Sequence, residues 1–475
     1  MKLMVTGLLA GVLGAGLLLG CTCSTVPDGF EKISENGFDA ADNAADWNDY
    51  PWAMSYFTPD GKSEGQLFVG TGNGIDEMVL ALFGVMEGLP AVSRPPEIRR
   101  FRPDQGTTSW ERVFDFRNLD AGPEYAATGF RSMAVYRAQS DGVNYLYAGT
   151  FGTHPLLLRS ATGEPDSWTV VWEAPDTEKA RAGLESIRWM TVHNGLLYIA
   201  ITKEFSPGGG TGQILASDGD TVWPVMEDGF GNPDNLGVMS LISWNGWLYA
   251  GTANAATGFE IWRFAGPGGD GESPVKVVGN GGTDSRNQAA NAPFVFQDRL
   301  YFGSMIVGGV RFRGCDILRI DAEDNWEVIV GPDSLSGWGP GFNHDANAYI
   351  WSMEEHGGCL YAGTWDMNGT FQFVADRPFL ALSTIPGIVS LLVASDIGDM
   401  LFEKRAHTPL SCLIDAGADL YRSCDGTHWE PVFTNGLGDA YNFGVRNMAS
   451  IDGKLYLGIS NNFDGLEIWR GLALE

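Results

Sequence analysis

The segment from Asn235 to Arg263 recurs in close copies almost from end to end of the chain, and that recurrence restricts what the chain can fold into. Within it an apolar run ends at Trp244, Asn245-Gly246 follows, and Leu248-Tyr249-Ala250-Gly251-Thr252 comes next. Asn-Gly accepts the positive φ angles of a two-residue hairpin turn, so the flanking runs read as two antiparallel strands. A third strand is expected over Phe259 to Phe264, after a short polar loop.

The leucine that opens the second strand serves as a ruler. Leu67, Leu146, Leu197, Leu248, Leu300, Leu360 and Leu455 each begin a variant of Leu-Tyr-x-Gly-Thr. The middle spacings, about 50 residues, fit one four-stranded propeller blade per repeat. Aromatic-Val segments such as Trp110 to Phe114, Trp168 to Trp172, Trp326 to Val330 and Trp429 to Phe433 supply the fourth strands.

The last copy stops after its third strand, at Ile468-Trp469-Arg470. Its fourth strand is expected at the other end of the chain. There Phe30 to Ile33, followed by Asn36-Gly37-Phe38-Asp39, matches Pro431 to Phe433 followed by Asn435-Gly436-Leu437-Gly438-Asp439. The expected fold is all-β, a seven-bladed β-propeller closed by the N-terminal strand and spanning residues 30–475. Closure removes the open sheet edges that invite aggregation.

Composition agrees with one large β domain. The chain of 475 residues is 44% hydrophobic and carries 64 glycines, too many for a helical protein. Its 30 basic and 59 acidic residues give a formal net charge of -29, which opposes binding to nucleic acid. The acidity suits solubility, with a dedicated Ca²⁺ role as the alternative.

Residues 1–20, with Lys2 ahead of an apolar run from Leu8 to Leu19, read as a secretion signal. They end in Leu18-Leu19-Gly20-Cys21, which resembles the lipobox of bacterial lipoproteins. That resemblance implies cleavage before Cys21, its acylation, and a membrane partner reached through the N-terminal lipid. It places the protein in the bacterial cell envelope, with residues 21–29 as a tether. Thr22, and not Asp, follows the cysteine, which in that family favours the outer membrane.

Export to an oxidising compartment permits disulfides. Cys359 just precedes the second strand of its repeat and Cys424 just follows the third, so a bridge is expected between them. A second is expected between Cys315 and Cys412, which should lie on one face of the ring. Cys23 is left over, and no spacing suggests a zinc site.

Two apolar insertions join second to third strands, over about 72–95 and about 365–416. They emerge on the same face. They read as a small satellite core, as a lid or groove for a lipid-like or aromatic ligand, or as a patch dipping into the membrane. The segment from Pro378 to Ala394 is broken by Pro386-Gly387 and too short for a confident membrane span.

The turn Ser423-Cys424-Asp425-Gly426-Thr427-His428-Trp429, and more loosely Ser217-Asp218-Gly219 with Trp223, resembles the Asp-box repeat of sialidases and many other propellers. In those families the turn is structural and lies away from the active face. Sialidases also gather three arginines on a carboxylate, but their Tyr nucleophile with Glu and their early Arg-Ile-Pro motif have no match here.

Seven positions before the ruler leucine stand Met190, Leu241, Pro293, Met353 and Met448, with Met54 and Met133 corresponding. That ring is expected to be packing. Two residues earlier, nearer the channel mouth, stand Trp52, Arg131, Arg188, Met239, Asn291, Trp351 and Arg446. Arg131, Arg188 and Arg446 are anion-binding candidates, because the planar fork of arginine suits carboxylate or phosphate. Pairing of each with a nearby acid is the alternative. Trp52 and Trp351 are candidate channel-mouth aromatics.

Asn235, Asn287, Asn347 and Asn442, each close behind Asp234, Asp284, Asp345 and Asp439, recur just before first strands, as does Asn43 behind Asp39. They read as turn caps, with Ca²⁺ or sugar hydroxyls as the alternative. No catalytic residue, metal ligand or cofactor motif can be assigned. The functional expectation is a noncatalytic binding or scaffolding lipoprotein with a protein, glycan or apolar ligand as partner. The alternative is a sialidase-like or other hydrolase acting on an anionic glycan or ester.

Overall fold

The computed structural model describes residues 26–39, 48–73, 94–102, 109–119, 127–152, 155–174, 184–205, 210–266, 273–306, 313–368, 416–462 and 464–471. Cys21, Cys23, Asn43, Cys412 and nearly all of both apolar insertions lie outside these. Among the described residues the structure is all-β, with 28 strands joined in antiparallel pairs.

Each ruler leucine is buried in a second strand. Tyr50–Phe57, Gln66–Gly72, Glu97–Phe101 and Trp110–Asp115 pair in succession, and the same four-strand order repeats along the chain. The final three strands, Gly444–Ile451, Lys454–Ser460 and Glu467–Gly471, are joined by Phe30–Lys32, with Phe30 opposite Gly471 and Lys32 opposite Trp469. First strands pack against one another in sequence, and Gly444–Ile451 packs against Tyr50–Phe57.

The turns follow the local chemistry. Asn245 and Gly246 both have positive φ, 49° and 80°, as the hairpin turn requires. Asn194-Gly195 and Asp452-Gly453 repeat this. Gly251 is needed for close approach, since a Cβ there would come within 2.6 Å of the Ala290 carbonyl oxygen in the neighbouring four-strand set. The similarity between the N-terminal segment and the last turns extends to the backbone: Gly37-Phe38 and Gly436-Leu437 share left-handed φ angles between 59° and 68°.

The core is distributed between adjacent sets. Tyr147, Tyr198, Tyr249 and Tyr301, each following a ruler leucine, are essentially inaccessible. Phe342 stacks on Tyr421 with centroids 3.8 Å apart and an interplanar angle of 7°. Cys359 and Cys424 are bridged, as their strand positions imply. Cys315 is a free, fully buried thiol, and Cys412, its expected partner, lies outside the described residues. Cys315 sits in an apolar cluster with Phe342 and Ile317, and burial pushes its thiol pKa well up.

The recurrent asparagines are internal. Asn235 donates through Nδ2 to Gly229 O at 2.8 Å and to Glu260 Oε2 at 2.7 Å. Asn442 does the same with Gly436 O and Glu467 Oε2, both at 2.9 Å, and Asn347 with Gly341 O at 3.0 Å and Asp419 Oδ2 at 2.7 Å. Asn287 repeats it with Gly281 O and Asp316. Each fastens the loop entering a first strand to a carboxylate at the start of a third strand or immediately before it, which satisfies buried polar groups that would otherwise cost about 1–3 kcal/mol each. These amides are therefore occupied within the fold.

Candidate functional site

A β-bulge occurs in the first strands at the positions singled out above. Trp52, Arg131, Arg188, Met239, Trp351 and Arg446 each fall where the register with the second strand shifts. A bulge places an extra residue in the strand and redirects its side chain. Here it sends Trp52, Arg131, Arg188, Trp351 and Arg446 into one cavity of about 270 Å³.

All three arginines are buried: Arg131 is 8% exposed, Arg188 1% and Arg446 4%. Arg131 Cζ lies 5.1 Å from the ring centroid of Trp52 and 4.9 Å from that of Phe151. Arg446 Cζ lies 5.3 Å from the Trp351 centroid. Arg188 donates through Nη2 to Tyr349 Oη at 2.7 Å and to Asn291 Oδ1 at 3.3 Å. Arg188 Nε and Arg446 Nε have no hydrogen-bond partner. Among the described residues neither arginine pairs with a carboxylate, so the expected alternative of a neighbouring acid does not hold for these two.

Burial, and then the nearby charges of Arg188 and Arg131, drive the Arg446 pKa well below the ordinary arginine range. A guanidinium does not give up its proton in proteins. The unfavourable energy therefore remains as an electrostatic demand for a negative charge. Cation–π contacts with Trp351 meet part of it, at about 2 kcal/mol when desolvated.

Aromatic rings border the arginines at one end of the cavity. Tyr50, Trp52, Phe151, Tyr349, Trp351, Trp365 and Phe443 form one buried aromatic cluster. Trp52 and Trp351, expected as mouth aromatics, are 4% and 8% exposed, with Phe151 packed on Trp52 and Tyr50 on Trp351. The cavity extends the other way, along the strands toward their hairpin turns. There it is lined by Met54, Met133, Met190, Met353, Met448, Pro293 and Phe294. The methionines pack in the core as expected, Met190, Met353 and Met448 as buried members of its clusters and Met54 and Met133 against them, and the same side chains also line the cavity.

Beyond them a recess shares Met54, Glu354 and Met448 with the cavity and is bordered by Tyr56, Ser450 and Asp452. Glu354 is half-buried, and desolvation pushes its carboxyl up to about 7 while a long hydrogen bond from Ser450 N, 3.4 Å, opposes that. Glu354 was not distinguished by sequence reasoning. It stands one residue after Met353, and only knowledge of the bulge would have placed it on the lining.

His344 Nδ1 lies 3.8 Å from Asp419 Oδ2, away from the cavity lining. No group of three or more His, Cys, Asp or Glu suited to a metal ion occurs among the described residues. None of the described helices is long and apolar enough to cross a membrane.

No protein-family model matches the chain, and no curated protein matches it. Among solved structures it is similar to an ancestral GH74 enzyme, at 12% identity over 90% of this chain and 49% of that one, with a TM-score of 0.49. The chain thus spans about half the length of that enzyme. It is also similar to the WD40 β-propeller domain of Doa1, at 8% identity over 93% of this chain and 97% of that one, TM-score 0.44. A third is Sqt1 of Saccharomyces cerevisiae, at 9% identity over 89% and 95%, TM-score 0.41. None of these likenesses transfers an activity to this chain.

Proposed function

We propose that the chain is a seven-bladed β-propeller closed by Phe30–Lys32 and that it works as a noncatalytic binding lipoprotein of the bacterial envelope, holding an anionic ligand in its central channel. The ring reading is supported by the repeated four-strand order, by the pairing of Phe30 with Gly471, and by the packing of Gly444–Ile451 on Tyr50–Phe57. The lipoprotein reading is supported by Leu18-Leu19-Gly20-Cys21.

The binding reading is carried by one observation: the buried Arg446 guanidinium, without a hydrogen bond among the described residues, faces a cavity that it shares with Arg188. Its test is calorimetric titration of the purified protein with small carboxylates and with sulfate. Saturable binding lost in Arg446→Met is expected, and absence of binding by every anion would overturn the reading. Cys21→Ala should release the protein from the membrane fraction, and continued retention would contradict the anchor.

A hydrolytic reading has one observation in its favour, the raised pKa of Glu354 on the same cavity. A glycosidase requires two carboxyl groups roughly 5–10 Å apart, and among the described lining residues Glu354 is the sole acid. Hydrolysis of a sialoside or ester that disappears in Glu354→Gln would establish the enzyme instead.

A further inference from the structure

We infer that the ligand is a small amphiphilic monocarboxylate, seated with its carboxylate at Arg188 and Arg446 and its apolar body along the methionine-lined channel. This rests on the anion-binding reading above and gives its ligand a chemical class.

The head end is defined by polarity. Arg188 is held by Tyr349 and Asn291, which fixes the direction of its fork. Arg446 has no such partner and lies under Trp351. A carboxylate can accept two parallel N–H bonds from a guanidinium, a geometry that matches the arginine fork. Arg131, between Trp52 and Phe151, adds positive potential without being required as a ligand.

The body end is defined by methionines and by polar groups that are mostly spent: Ser132, Ser352 and Asn447 also line it but donate to the backbone carbonyls of Ile187, Val445 and Pro51, which leaves Glu354 as its one acid among the described residues. Two residues beyond Arg131, Arg188 and Arg446 stand Met133, Met190 and Met448, all lining the cavity. A sulfate or phosphate at the arginines would turn its outer oxygens toward these thioethers, which are weak acceptors with no proton to give. An alkyl or aryl group meets the same wall favourably, and methionine adapts its shape to such groups.

Length and access agree. From Arg446 to Ser450, which is exposed, is four residues of strand, about 13 Å at ~3.3 Å each. A body of that length runs past Met448 and Met54 and reaches the recess, where Tyr56, Glu354, Ser450 and Asp452 stand. The cavity volume of about 270 Å³ suits a small molecule and excludes a folded partner. Glu354 and Asp452 near the recess, on a chain of net charge -29, disfavour entry of multiply charged anions more than of singly charged ones.

The experiment is titration of the full chain carrying Cys21→Ala with sodium octanoate, and in parallel with acetate, sulfate, octanol and octylammonium. Octanoate is expected to bind at one site per chain, about 100-fold or more tightly than acetate, given the apolar surface that its extra methylenes bury. Octanol and octylammonium are expected not to saturate. Arg446→Met should abolish octanoate binding without lowering the melting temperature, and Met448→Gln should weaken octanoate while leaving acetate unchanged. Acetate or sulfate binding as tightly as octanoate would overturn the amphiphile and leave the anion site standing. Octanol equal to octanoate would overturn the carboxylate head. Failure of every anion to bind would overturn both readings.

Discussion

Asp366 accepts a hydrogen bond from the backbone N–H of Gly417 at 2.7 Å, across 51 residues of chain. Its other oxygen accepts from Asn368 N, also at 2.7 Å. One wholly buried carboxyl group therefore ties together the two stems from which the longer apolar insertion departs. At the corresponding positions Asn73, Asn254 and Asn461 stand instead, donating to Asn48, Asn235 and Asn442. In the Asp366 set the matching acceptor, Asn347 Oδ1, has no partner.

This exchange of Asn for Asp makes stability depend on pH. Burial pushes the Asp366 carboxyl up to about 7, against its two backbone hydrogen bonds. The folded state then holds a proton that the unfolded chain releases near pH 4. Stability from this group is present below that pH and is lost as pH rises toward 7, by on the order of a few kcal/mol. Glu354 acts in the same direction, whereas the lowered pKa values of His193 and His356 act oppositely. Comparison with Asp366→Asn isolates the effect. Denaturant unfolding at pH 5 and pH 8 should show the variant losing less stability than the parent between the two, and parallel losses would refute this.

The strands and turns were legible because their signals are local. The ruler leucines, Asn245-Gly246 and the similarity between Gly37-Phe38 and Gly436-Leu437 each record one residue's backbone demand. The pairing of Cys359 with Cys424 followed from strand order alone. The positions of Arg131, Arg188 and Arg446 were legible too, but their surroundings were not. How far Trp52 is buried depends on Phe151, far along the chain, and that Met448 lines a cavity as well as packing in the core goes with a bulge at Arg446. Neither is encoded in a period of two.

Arg446→Met should raise the stability of the ligand-free protein. Replacing even a buried ion pair by well-packed apolar side chains of similar volume is often neutral or gains about 1–4 kcal/mol, and among the described residues Arg446 has no carboxylate partner to lose. Differential scanning calorimetry in an anion-poor buffer should show a higher transition temperature. A lower one would mean that the guanidinium is already satisfied.

Asn442→Ala removes hydrogen bonds to Gly436 O and Glu467 Oε2 and from Asn461. Glu467 would keep Trp469 Nε1, at 2.8 Å, and Lys32, also at 2.8 Å. A loss of about 2–3 kcal/mol is expected from the buried groups left unsatisfied. Equilibrium unfolding checks it, and a change below half a kcal/mol would show that water replaces the amide.

Removal of the disulfide by Cys359→Ser with Cys424→Ser opens a loop of 65 residues. The chain-entropy relation gives an upper figure of about 4 kcal/mol. Bridges commonly deliver less than this relation gives, because of native strain and residual structure in the unfolded chain, so about 2–4 kcal/mol is the working expectation. Melting with and without reductant should separate the parent from the double variant, with the latter insensitive to reductant.

The pairing of Phe30–Lys32 with Glu467–Gly471 also sets an order of events. A chain leaving the ribosome from its N-terminus presents Phe30 long before Trp469. Phe30–Lys32 must wait, unpaired by this partner, until Glu467–Gly471 has appeared. Contacts this distant in sequence make folding slow and leave transient edges open to other chains. Escort of the emerging polypeptide, or retention of Phe30–Lys32 close to the site of emergence, would therefore govern yield more strongly than the stability of the finished molecule.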